Sequence, residues 1–318
     1  MKNVEKLFEN IYLIDGFDLN LKERTGTYVL TEKDLTIIET SASPSVPYII
    51  EGLKELGYEP KDIKYIIVTH IHLDHAGGAG LLLEQCPDAK VVVHPKGLRH
   101  LADPSRLIAG ARAVYGDKFD TLFNPILPIP EDRLIAMNHK DTLTISEDCT
   151  LTFYDTPGHA NHHFSIYHPK VNGMFTGDTV GIRYSTLIED GIEFYLPTTS
   201  PNQFSPEKML HSIELCRELE LSCIFFGHYG MSKNPNEVYK QVTSWIDKFV
   251  DAAEKGITYG STPQEQIETT AKLLFKEIAN YLYLQGVEEQ NEVFELLKLD
   301  VEVCSMGLID YLHKQKSE

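Results

Sequence analysis

Three imidazoles and a carboxylate fall within six positions of Thr69-His70-Ile71-His72-Leu73-Asp74-His75-Ala76-Gly77-Gly78, directly after the apolar run Tyr65-Ile66-Ile67-Val68. Side chains alternate faces along an extended segment, so His70, His72 and Asp74 would point one way if the strand continued. Asp74 and His75 are neighbours and reach one spot only where the backbone turns, which the small residues Ala76, Gly77 and Gly78 permit. The stretch reads as a metal-binding loop at a strand end. Three later turns each set one more ligand-type residue beside a glycine: Gly158-His159, Gly177-Asp178 and Gly227-His228. The collected set is five imidazoles and two carboxylates without a thiolate, which suits zinc, iron or manganese. Seven donors are too many for one tetrahedral ion and match two ions sharing a carboxylate. Two such ions, about 3.5–4 Å apart, can share a hydroxide and polarise a substrate carbonyl or phosphoryl oxygen. Asp74 as a ligand has its lone pairs committed, so it is read as coordinating rather than as a general base. No G-x-S-x-G stretch offers a serine nucleophile instead.

The segments that must hold these residues read as strands and helices in alternation. Ile11–Ile14, Thr27–Leu30 and Leu35–Ile38 predict a strand meander, and Ser45–Leu56 predicts a helix that stops at Gly57 and leads into the Ile66 strand. A short helix over Leu81–Gln85 and a buried strand over Lys90–His94 follow. Residues 95–130 break the rhythm with two short helices carrying Arg99, Arg106 and Arg112, then Pro125, Pro128 and Pro130, and read as a cover. These arginines are solvated helix residues or, in the sharper reading, one of them binds an acidic substrate group. Strand signals return at Thr142–Ile145, Cys149–Tyr154, Phe164–Tyr167 and Gly173–Thr176. Ser205 and Pro206 then open a helix through Arg217, and Cys223–Phe226 predicts a last strand. From Asn234 onward the period is helical, with about three helices; Thr262-Pro263-Gln264-Glu265 supplies a capping box for one of them. Their apolar stripes predict packing on the body or on a second copy of the chain, a homodimer, with a wall of the substrate cleft as the lesser alternative.

Composition narrows the partners. With 318 residues, one large domain plus an appendage, or two domains, is expected: a catalytic domain over 1–230 and a helical extension over 231–318. The net charge of -18 would repel a phosphate backbone, so nucleic acid and anionic membrane surfaces are not expected partners, and a small-molecule substrate is. The amino terminus has no apolar leader run, no stretch is long enough to span a bilayer, and the cytoplasm is the expected location. The five cysteines form no C-x-x-C pair and read as reduced thiols.

In the order H-x-H-x-D-H, Gly-His, Gly-Asp, Gly-His, over roughly residues 7 to 230, the chain resembles the metallo-β-lactamase-fold superfamily, in the branch that includes glyoxalase II and related hydrolases. The resemblance implies an α/β fold, a four-layer αββα sandwich with its site at one edge. It further implies that His70, His72 and His159 hold one metal, that Asp74, His75 and His228 hold the other, and that Asp178 bridges them. The cofactor expectation is two divalent ions, zinc first, with iron or manganese as the alternatives. Tyr195 and Tyr229 are candidate donors to a substrate oxygen, and Arg183 and Tyr184 candidate substrate contacts. His162 and His163 could support the ligands from behind, and the remaining histidines read as core or surface residues.

The leading function is hydrolysis of a small ester, thioester or lactone by a metal-bridging hydroxide. Glutathione thioesters fit less well: glyoxalase II-type enzymes hold glutathione partly through basic residues near the C-terminus, and residues 218–318 contain no arginine. The other classes are a one-iron persulfide dioxygenase-type oxidoreductase, an RNA-processing nuclease and a non-catalytic binding module.

Overall fold

A computed structural model describes residues 3–316. The chain forms two compact units, one of Met1–Asp155, His162–Gly177 and Leu221–Lys233, the other of Thr156–Asn161, Asp178–Glu220 and Asn234–Glu318. The second unit therefore takes in two segments besides the helices read after residue 231.

The first unit begins with a seven-stranded sheet whose strands pair in chain order: β1 (Val4–Phe8), β2 (Ile11–Asp15), β3 (Gly26–Leu30), β4 (Thr36–Ile38), β5 (Tyr65–Ile67), β6 (Lys90–Val93) and β7 (Leu134–Ala136). β1 to β4 run antiparallel, and β4 to β7 run parallel. The short apolar runs arise because both faces are covered. Val29, Ile37, Ile66, Val91 and Val93 enter a cluster with Val46, Ile49 and Leu53 of helix α1 (Val46–Glu55). The alternate residues Tyr28, Leu30, Ile38, Ile67 and Val92 face a second sheet.

That sheet has the strand order β15-β14-β11-β10-β9-β8. In chain order the strands are β8 (Thr142–Ser146), β9 (Cys149–Asp155), β10 (Phe164–His168), β11 (Gly173–Gly177), β12 (Ile182–Arg183), β13 (Tyr195–Leu196), β14 (Cys223–Phe226) and β15 (Met231–Ser232); β12 and β13 form a separate ribbon in the second unit. Aromatics seal the two large sheets. Phe175 and Phe225 stack at 4.4 Å, and Tyr28 meets them edge-on at 5.0 and 5.6 Å. The Tyr28 hydroxyl lies 2.6 Å from the carbonyl oxygens of both Phe226 and Gly230, so this core residue also fixes the turn that carries His228.

Helices α2 (Leu73–Ala76) and α3 (Ala79–Leu83) follow β5, and α4 (Leu98–Ala102), α5 (Ser105–Tyr115) and α6 (Phe119–Phe123) form the insertion over 95–130. Phe119 and Phe123 cluster with Ala42 and Leu73, so the insertion packs on the start of the ligand loop's own helix.

In the second unit, α7 (Pro206–Glu218) opens with the Ser205 hydroxyl accepting from the Lys208 N–H, and it precedes three long helices, α8 (Pro235–Tyr259), α9 (Pro263–Leu284) and α10 (Val293–Gln315). The capping box at Thr262 and Glu265 forms in both directions. Trp245, Phe249, Leu274, Ile278, Leu282, Leu297 and Leu308 are all buried. Among the described residues no helix is long and apolar enough to cross a membrane.

Candidate metal centre

β5 ends at Ile67, the chain bends at Thr69 and His70, and from His72, whose backbone is extended, it coils into α2. The turn thus comes at Leu73, before Asp74 and His75, not at the Ala76–Gly78 stretch where the sequence placed it. Its cause is the first helical turn, in which the His75 and Ala76 N–H groups donate to the His72 carbonyl at 3.0 and 2.8 Å. Gly77 is helical, and it is needed for closeness: a Cβ there would meet the Leu73 oxygen at 2.3 Å. Asp74 is consequently on a different backbone course from His70 and His72.

Within the first unit the rings crowd together. His70 Nε2 and His72 Nδ1 are 3.0 Å apart, and the His70 ring lies 4.2 Å from that of His75. Asp74, His75 and His228 each offer one ligand atom, all within 4.8 Å of one another. Asp74 Oδ2 is 3.6 Å from His75 Nε2 and 3.7 Å from His228 Nε2. These separations are too long for hydrogen bonds. They are close to the roughly 3.4 Å that separates two donors held about 2.1 Å from one tetrahedral ion. In the second unit His159 Nε2 and Asp178 Oδ2 repeat that spacing at 3.6 Å, with 3% and 2% of each residue exposed.

The supporting contacts settle which nitrogen of His159 is available. Its Nδ1 lies 3.0 Å from the Thr198 carbonyl oxygen, which can only accept, so the proton sits on Nδ1 and the lone pair on Nε2. The ligand-type residues thus fit a metal site by donor chemistry, by spacing and by tautomer.

Two residues near the cluster went unread in the sequence. Glu39, 2% exposed at the end of β4, accepts from the Thr69 N–H at 3.1 Å and sets its other oxygen 3.5 Å from His75 Nδ1. A carboxylate behind an imidazole fixes its orientation and raises its basicity as a ligand. Asp18 is also 2% exposed; burial pushes its carboxyl up to about 6 against the pull of Arg24, and the field of Asp74 adds to the rise. Its loop is clasped by Asp15, whose carboxylate accepts from the N–H groups of Phe17 and Glu23 at 2.9 Å each. The only sequence signal was Asp15-Gly16 closing a strand. Gly177, at φ +48°, sits so tightly against Thr69 and His163 that a Cβ would come within 2.5 Å of each. His163 and His162 lie 5.1 and 6.3 Å from the His70 ring.

The other candidate residues are placed as follows. Tyr195 is buried on β13, opposite Arg183 of β12. The Tyr184 hydroxyl donates to Asp300 at 2.9 Å, and Tyr229 is 7% exposed in the turn after His228. In the insertion, Arg112 pairs with Asp120 at 2.5 Å and lies over the Phe119 ring.

At the far ends of the strands, Glu32, Cys149 and His168 also offer donors within 4.8 Å. A cation is already present there: the Lys170 ammonium lies 2.8 and 3.0 Å from the two Glu32 oxygens. Burial pushes the Cys149 thiol up to about 11, so it stays protonated 3.6 Å from His168 Nε2. Burial lowers His168 from 6.5 to about 4. Between those values the unfolded chain binds the extra proton, so the stability that neutral His168 supports is present above pH 6.5 and is lost as pH falls toward 4. That difference is worth about 3 kcal/mol. Denaturant unfolding of wild type and His168→Asn at pH 7 and pH 4 should show the larger acid loss in wild type; equal losses would contradict it.

Stacked sheets with imidazoles and carboxylates clustered at their strand ends define an α/β protein with a candidate metal site. The profile of the metallo-beta-lactamase superfamily matches residues 24–228, and the chain belongs to that superfamily, with the αββα fold class and a C-terminal helical extension. A metallo-beta-lactamase fold-containing protein of Sulfurisphaera tokodaii is 25% identical over 268 residues, covering 82% of this chain and 95% of that one. An N-acyl homoserine lactonase of Bacillus thuringiensis is 27% identical over 183 residues, 57% of this chain and 61% of the lactonase. The solved structure of a metallo-beta-lactamase family protein from Thermus thermophilus superposes with a TM-score of 0.68 at 16% identity, covering 98% of this chain and 95% of that one.

Proposed function

We propose that the chain is a two-metal hydrolase acting on a small ester, thioester or lactone. His70, His72 and His159 would hold one ion, Asp74, His75 and His228 the other, with Asp178 shared. The observation that carries the reading is the repeated 3.6–3.7 Å spacing of imidazole nitrogen and carboxylate oxygen at Asp74 and at Asp178. Bound divalent ions supply a hydroxide nucleophile near neutral pH and a Lewis acid for the substrate oxygen. The protein's own part includes holding His159 in its ligating tautomer through the Thr198 carbonyl, while the Glu39 carboxylate stands 3.5 Å behind His75 Nδ1. The lactonase relative favours an uncharged cyclic ester over an anionic polymer, as does the net charge of -18.

A panel of an N-acyl homoserine lactone, an aryl ester, an acyl thioester and a phosphodiester tests the reading on zinc-loaded protein. Turnover is expected on at least one of the first three. No hydrolysis across the panel, or one iron per chain with oxygen uptake on a persulfide, would contradict it.

A further inference from the structure

We infer that the C-terminal helix α10 is a positioning element for the metal ligand His159, acting through the strip Thr198–Ser200. The inference rests on the reading of His159 as a ligand given above, and every contact it uses lies within the second unit.

The strip holds the ligand at two points. The Thr198 carbonyl takes the proton of His159 Nδ1 at 3.0 Å, and the Ser200 hydroxyl donates to the His159 main-chain carbonyl at 2.7 Å. Ring and backbone are therefore both referred to residues 198–200. Thr199, the residue between, is fully buried and donates its hydroxyl to the Cys304 carbonyl of α10 at 2.7 Å. Water has no access to replace that acceptor. About one turn further along α10 stands Gly307. A Cβ there would lie 2.5 Å from the Thr199 oxygen and 2.7 Å from both the carbon and the oxygen of the Ser200 carbonyl. All three are backbone atoms, so a side chain could not be accommodated by a rotamer change; the strip or the helix would have to move. The helix is itself tied down by the bond from the Tyr184 hydroxyl to Asp300. Close-packed interiors transmit such a shift, and it would arrive at the hydrogen bond that sets the His159 tautomer.

The loss of an outer partner of a metal-bound imidazole typically costs 10–100-fold in metal affinity. Calorimetric titration of metal-stripped protein with Zn(II) should therefore show the weaker-bound equivalent lost by about that factor in Gly307→Ala and in Thr199→Val. Thr199→Ser, which keeps the hydroxyl, should bind as wild type. Leu297→Ala supplies the structural control: it empties a buried site on α10 about 15 Å along the helix from Gly307. It should lower the melting temperature while leaving zinc affinity unchanged. Wild-type affinity in a folded Gly307→Ala, or equal losses in Thr199→Val and Thr199→Ser, would overturn the inference. If Gly307→Ala fails to fold, the two Thr199 variants decide alone. Failure of the wild-type protein to bind zinc would instead remove the proposed function, on which the inference stands.

Discussion

Asp178→Asn is expected to leave the chain folded, to lower its metal content from two ions to one, and to cut hydrolysis by more than about 10³-fold, some 4 kcal/mol of barrier. The reasoning is electrostatic. Two divalent ions about 4 Å apart repel by about 17 kcal/mol at an effective dielectric constant of about 20. An anion between them must offset that repulsion, and a neutral amide of the same shape cannot. The substitution opens no cavity, so a loss of activity would not trace to packing. Circular dichroism, metal analysis and turnover on the best substrate of the panel check it together. Two ions and near-wild-type turnover in Asp178→Asn would mean that this buried carboxylate does not join them.

Removing the metals with a chelator should take turnover to background, and added Zn(II) should restore it. Stability should follow. An ion at a thousand times its dissociation constant stabilises the native state by about 4 kcal/mol. For a chain of this size that is a melting shift of roughly 5–10 °C. The stripped protein should still unfold cooperatively, because the sheets are held by contacts such as Phe175 on Phe225 and Tyr28 on both, not by the ligands. Turnover that survives chelation would exclude the metal reading.

Much of this was legible because the signals are local. The capping box at Thr262 and the N-cap at Ser205 form where their residue types place them, since a cap needs only its own first turn. The α/β class follows from apolar runs such as Ile66–Val68 and Val91–Val93, which only a sheet covered on both faces buries. The crowding of imidazoles and carboxylate was legible because four of these residues lie within six positions.

What escaped reading depends on distant contacts. Glu39 gives no motif of its own and becomes meaningful only when the parallel pairing of β4 with β5 brings it to Thr69 and His75. The turn was placed at Ala76–Gly78 because those residues are small, yet their smallness serves close approach, Gly77 against Leu73 and Gly78 against the Thr40 carbonyl. The grouping of residues 156–161 and 178–220 with the C-terminal helices was invisible as well. It arises from bonds such as Thr199 to Cys304, 105 positions apart, which no sequence period announces.

The most direct test of the two-metal centre is elemental analysis of protein purified without added metal and then loaded with zinc to saturation. The account predicts two ions per chain, falling to one in Asp74→Ala, whose carboxylate sits with His75 and His228. One ion or none in the wild-type protein would contradict it.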